Sequence, residues 1–153
     1  MPESSLSGNR IAYGRGQDNP IGLKLTFSWD GCTAQAVFIP AVYHQGWPGV
    51  VHGGVILALL DEAAGQATSF STLNCVSARV QVKLKQPARI NEPLTVTASV
   101  REVRRSLVLT HAIIRSADGT EIAGGDITLV IIDPSRVLSP QDGKDNQQYH
   151  ATG

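Results

Sequence analysis

The residues best equipped for chemistry lie in one stretch, His52-Gly53-Gly54 followed by Asp61. Periodicity puts both groups on one helix spanning residues 52–70, with Ile56, Leu59, Leu60, Ala63 and Ala67 at helical spacing. Two glycines at a helix start leave N–H groups without intrahelical partners, at the positive end of the helix dipole. A substrate oxygen could rest there, which is what an oxyanion hole requires, although a Gly-Gly start also serves many simple turns. Asp61 falls on the opposite stripe with Gly54, Ala58, Gly65 and Thr68, small neighbours that let another backbone or a slim ligand approach. Leu57, Ala58, Ala64 and Gly65 occupy the positions three and four residues away, so no helical neighbour compensates its charge. The plain alternative is an acid facing water or a distant Arg. Glu62, about 100° around the helix, reads as structural or rim-facing.

Nine residues, ~13.5 Å of helix rise, separate His52 from Asp61. One small reacting group cannot touch both within one chain. If both take part, they come from different subunits.

Elements that could position such a helix follow from the rest of the chain. Leu23, Leu25, Phe27 and Trp29 alternate with polar residues over 23–29, a strand with one dry face, and Asp30-Gly31 predicts a type I′ hairpin turn into a strand at 32–39. Four more strands are expected at 76–85, 94–103, 107–116 and 122–132, with Asn91-Glu92-Pro93 and Asp118-Gly119 as turns between neighbours. In the first of these Val76, Ala78, Val80, Val82 and Leu84 share one side, opposite Arg79, Lys83 and Lys85. Residues 107–114 and 127–132 are apolar on both faces, as central strands are. The layout is α+β, about six antiparallel strands around one buried helix. One sheet leaves one side of the helix bare, so a homo-oligomer is expected.

Residues 1–20 read as a flexible lead-in, 21–133 as a single domain and 134–153 as a flexible tail. A hydrophobic share of 42% with 17% charged residues excludes a disordered chain. The longest apolar run, residues 55–60, is far short of a bilayer span, so no membrane association is expected. Thirteen basic and thirteen acidic residues cancel, which argues against nucleic acid as a partner. The opening MPESSLSGNR has no apolar core, and a cytoplasmic location is the expectation. Two cysteines without a CxxC pattern suggest neither a disulfide framework nor a zinc site, and His44, His52 and His111 lack helical metal spacing. His111 reads as a satisfied core histidine. Tyr43 and Trp47 could line a pocket, although loop aromatics more often pack their own loop down.

GWPGVVHGGVILALLDEAAG, followed by a Val-rich strand ending in Lys-Gln-Pro, resembles the hotdog-fold acyl-CoA thioesterases of the phenylacetate-pathway (PaaI-like) type, over about residues 25–132. The resemblance implies a long helix wrapped by a curved antiparallel sheet, two protomers sharing one continuous sheet, and a dimer or dimer of dimers with sites across the interface. Carried over by position, Gly53 would offer its N–H to the thioester carbonyl and His52 would orient the loop. Asp61 of the other protomer would be general base or nucleophile, and Ser77 would hold the water. The family's Asn or Gln six residues before the His is Gly46 here, so Gln45 or His44 would have to serve as polar partner of His52.

Between residues 79 and 115 there are eight basic residues against two acidic ones. Arg79, Arg104 and Arg105, with Gly54 at the helix start, are candidate contacts to the substrate, the arginines to coenzyme A phosphates; solvated strand faces would look the same. No cofactor beyond the coenzyme A of the substrate is expected. The rival readings are a hotdog 3-hydroxyacyl-thioester dehydratase or hydratase, pairing His44 or His52 with Asp61 or Glu62, and a non-catalytic acyl-CoA-binding protein.

Overall fold

A computed structural model describes residues 9–133. The tail expected at 134–153 and the first eight residues lie outside that range. Six strands and one long helix form the framework: β1 (Ser28–Trp29), β2 (Thr33–Phe38), α1 (Gly53–Phe70), β3 (Cys75–Leu84), β4 (Leu94–Arg104), β5 (Leu107–Ser116) and β6 (Glu121–Ile131), with a short 3-10 turn at Val42–His44 before α1. One antiparallel sheet contains all six strands in the order β1-β2-β4-β5-β6-β3. The expected α+β layout, a helix packed on an antiparallel sheet, is therefore present.

The strand order differs from the expected chain of neighbours. Asn91-Glu92-Pro93 does not join adjacent strands, because β3 pairs with β6 at the far edge while β4 lies between β2 and β5. Residues 85–93 instead carry the chain back beneath the loop that leads into α1. There Val51 N–H donates to Ala88 C=O at 2.8 Å, and Val50 bridges to Arg89. Long-range pairing overrides the local turn signal, and the overridden segment becomes the support for the helix start.

Two local readings are also revised. Only Ser28–Trp29 of the stretch 23–29 is a strand. Its turn is centred on Gly31-Cys32, one residue later than the Asp-Gly pattern predicts. Gly31 alone takes positive φ (96°), while the Asp30 carboxylate accepts the N–H groups of Thr33 and Cys32 at 2.6 and 2.8 Å. Those two bonds hold the Asp30 carboxyl below its ordinary range. The lead-in is more structured than its composition suggests. Residues 9–22 form successive turns, and Leu23 and Leu25 enter the core beyond them.

Leu59, Leu60, Ala63, Ala64 and Ala67 of α1 are fully buried against the sheet, with Val96, Ala98, Ala112, Ile114, Ile127 and Leu129 among the residues of the same core. The small alanines let the helix lie close to the sheet, and Trp29 stacks on Phe70 at 5.2 Å to anchor its far end. Gly125 sets how closely β3 can approach β6. A Cβ there would meet the Gln81 carbonyl oxygen at 2.1 Å and Val82 Cα at 2.7 Å. Gly125→Ala is expected to cost about 1–3 kcal/mol of folding stability, read from the midpoint of denaturant unfolding, because backbone rather than a flexible side chain must yield.

Candidate active site

His52 is the N-cap of α1 in extended conformation (φ −60°, ψ 135°), and its Nδ1 accepts the Gly54 N–H at 2.8 Å. The ring folds over Gly54 so closely that a Cβ there would meet Nδ1 at 2.9 Å. His52 C=O accepts from Val55 and Ile56. The donors at the helix start are thus spent on the cap, except one: Gly53 N–H has no acceptor among the described residues. Gly54, expected as a second donor, is committed to His52. The remaining donor stands where the dipole favours developing negative charge.

The loop before the helix is stiff. Gly46 N–H donates to Val50 C=O, Val50 N–H to Trp47 C=O, and His52 N–H to His44 C=O, while Gln45 Oε1 accepts the Gly49 N–H at 3.0 Å. His44 Nδ1 accepts from Ala41 N–H and its ring packs edge-on against Phe38. Neither Gln45 nor His44 therefore gives its side chain to His52, as the sequence suggested one of them would; their side chains shape the loop instead. Tyr43 and Trp47 do not pack the loop down either, being 93% and 82% exposed. Trp47 lines an open cleft of about 400 Å³ with Pro48, Val50, His52 and Gly53. A second cleft of about 280 Å³ borders Gly53 from the other side, between Val51, Ile56, Leu84, Pro87 and Ile122. Gly53 is common to both.

Asp61, half-buried two turns along α1, accepts a hydrogen bond from the Ser77 hydroxyl of β3. This contact depends on a β-bulge. Ser77 pairs with Leu129 and Arg79 with Thr128, so Ala78 is an extra residue between them. The bulge swings Ser77 onto the helix-facing side, together with Val80, Val82 and Leu84, and puts Val76 on the other face; strict alternation predicted the reverse for both. Paired residues share a face, so Arg79 and Lys83 lie on the sheet's outer face with Thr128 and Gly124.

None of the basic residues expected to meet coenzyme A phosphates bonds Asp61 among the described residues. Arg79 is on the opposite face of the sheet, Arg104 pairs with Glu102, and Arg105 sits at φ 54° in the β4–β5 turn. His111 is not a core residue: it shares the outer face with Asp126, its cross-strand partner, whose carboxylate lies 2.8 Å from Nδ1. Glu62, read as structural or rim-facing, is held by Arg15 at 3.2 Å, a contact 47 residues apart that no local spacing could reveal. No helix among the described residues is long and apolar enough to cross a membrane.

Residues 48–123 match the family model described as the thioesterase superfamily. Among curated proteins, the chain is 28% identical over 82 residues to acyl-coenzyme A thioesterase THEM4 of Xenopus laevis, covering 54% of this chain and 37% of that protein. The rat protein of the same name is 26% identical over 104 residues, covering 67% and 45%. The chain thus spans less than half the length of the curated relatives it matches. Among solved structures, a thioesterase superfamily protein superposes with TM-score 0.74 at 26% identity, covering 80% of this chain and 61% of that one. The PaaI protein of the E. coli phenylacetic acid degradation operon superposes with TM-score 0.67 at 20% identity, covering 71% and 83%.

Proposed function

This chain belongs to the hotdog-fold thioesterase superfamily, and from that premise we propose that it hydrolyses an acyl-CoA thioester to the free acid and coenzyme A. The observation that carries the reading is the pair of unspent groups on one helix, the Gly53 N–H and the Ser77-bound Asp61 carboxylate. Eight residues of helix, ~12 Å, separate them, so the site is assembled between two copies of the chain.

The open edge of β3 supplies the means. Among the described residues β3 pairs only with β6, and Val76, Val80 and Leu84 are each about half exposed. A ten-residue open edge whose helix-facing side is largely apolar is a template for another strand. Antiparallel pairing of two β3 strands about a two-fold near Gln81 sets Ser77 of one copy opposite Leu84 of the other, since the bulge removes one step from the count. Leu84 lies against Gly53, within 3.3 Å of where a Cβ would be. That register brings the Asp61–Ser77 pair of one copy to the Gly53 donor of the other, twice per dimer.

In this arrangement the Gly53 N–H takes the thioester carbonyl oxygen, and Asp61 either draws the proton from water or attacks the carbonyl itself. Ser77 holds Asp61 through its Oδ1 and keeps the other oxygen free. Thiolate is a good leaving group, so one base and one oxyanion donor suffice and no metal or cofactor is called for. His52 acts by capping, with Nδ1 unprotonated as the acceptor for Gly54. Arg79 faces away from the reacting atoms, and the exposed Arg79, Arg104 and Arg105 contribute to phosphate attraction as a rim.

A screen of thiol release over short, long and aromatic acyl-CoAs, run beside enoyl-thioester hydration, tests the reading. Hydration without thiol release would favour the dehydratase, and tight binding without turnover the binding protein. Within the active substrate class, Ser77→Ala is expected to lower kcat about 10–100-fold, the effect of losing a hydrogen bond to a charged group, while Ser77→Thr retains most of the rate.

A further inference from the structure

The hydrolytic reading leaves one acid on α1 without a task. Glu62 follows Asp61, yet its side chain is only 27% exposed and points to the lead-in rather than to β3. Arg15 Nε donates to Glu62 Oε1 at 3.2 Å, and Arg15 is itself only 30% exposed. The lead-in backbone lies directly against this carboxylate, since a Cβ on Gly14 would fall 2.1 Å from Glu62 Cδ. The segment carrying Arg15 has a fixed base. Gly16 N–H donates to Ala12 C=O, Leu23 N–H to Tyr13 C=O and Leu25 N–H to Gly14 C=O, and Leu23 and Leu25 are buried in the core. An unpaired acid in such a place would be costly, and burial, with the neighbouring Asp61 charge adding to it, holds the Glu62 carboxyl above its ordinary range against the pull of Arg15.

We propose that Arg15 is a positioning residue for the hydrolytic site: it holds Glu62 as an anion turned toward the lead-in, and the neutral pair so formed sets the charge that Asp61 feels from its own helix. The inference rests on Asp61 being the base or nucleophile. Glu62 is the only charged residue within four positions of Asp61 on α1. The helix-facing residues of β3, which are Cys75, Ser77, Val80, Val82 and Leu84, carry no charge, since burial pushes the Cys75 thiol above its ordinary range, and a second copy would add His52. The lead-in, absent from the expected site, thereby becomes part of it.

The test is the acid limb of the kcat/KM pH profile for thiol release, which reports the proton affinity of the base in the free enzyme. Glu62→Gln strands the Arg15 cation and is expected to move the limb down by about 0.5–1 pH unit. Arg15→Gln leaves Glu62 unpaired and moves the limb up, by less than that because burial also favours protonation of Glu62. Arg15→Lys keeps the charge and leaves the limb in place, and the double variant Arg15→Gln/Glu62→Gln returns it near the wild-type position. A purely structural strap would lower rate or stability with the limb unmoved, or move it the same way in both single variants, and either result overturns the proposal. Asp61→Asn in the same assay separates the two failures. If it abolishes turnover while the limb ignores both charge variants, only the role of Arg15 falls; if turnover survives it, the base assignment falls too.

Discussion

Asp61→Asn is expected to reduce thiol release ~10²–10⁴-fold at neutral pH, with little change in thermal midpoint. The amide keeps an oxygen to accept the Ser77 hydroxyl, so the packing of α1 on β3 survives, but it can neither take a proton nor attack a carbonyl. Its counterpart at the other end of the helix is Gly53→Pro. Proline is tolerated at the first helical position, and His52 already has the extended conformation that a residue before proline requires. The substitution deletes the single unspent N–H and is expected to cost ~10²–10³-fold in kcat. Co-expression joins the two. If the donor and the acid act across subunits, a mixed dimer holds one intact site, and a random mixture regains about a quarter of wild-type activity. A site built within one chain would regain none, and Asp61→Asn at full rate would remove the acid from the chemistry altogether.

The second large effect is expected at the open strand edge. Val80 is 44% exposed on the helix-facing side of β3, so Val80→Glu should fold as a single chain. In the register centred near Gln81 it buries a carboxylate against Val82 of the second copy, with the symmetric repeat nearby, and dimerisation is expected to fail. Activity should fall at least ~100-fold in step with dissociation, since each chain then holds a donor without an acid within reach. Sedimentation and thiol release over the same concentration series check this. A Val80→Glu dimer with full activity would place the interface elsewhere; a fully active monomer would mean that each chain is sufficient.

Much of the fold was legible because its signals are local. The apolar stripe from Ile56 to Ala67 and the Gly-Gly start located α1, and alternation located the later strands to within a residue or so. Asp61 stood out because its helix offers no compensating charge, and Ser77, matched by position, does reach it. The errors share a different cause. Asn91-Glu92-Pro93 looks like a hairpin turn, yet sheet order is decided by which strands bury the most surface together. The faces that Val76, Ser77 and His111 occupy likewise follow from pairing across strands, which spacing along one strand does not show.

Composition and periodicity alone determined one long apolar helix, an antiparallel set of strands and an acid that its own helix leaves uncompensated, because these follow from side-chain spacing along the chain. Tertiary structure decided what that acid meets. The extra residue at Ala78 turns Ser77 toward Asp61, and a lead-in some 47 positions upstream brings Arg15 to Glu62. A bulge is visible only once two strands are in register, and a contact between distant segments only once the core has drawn them together.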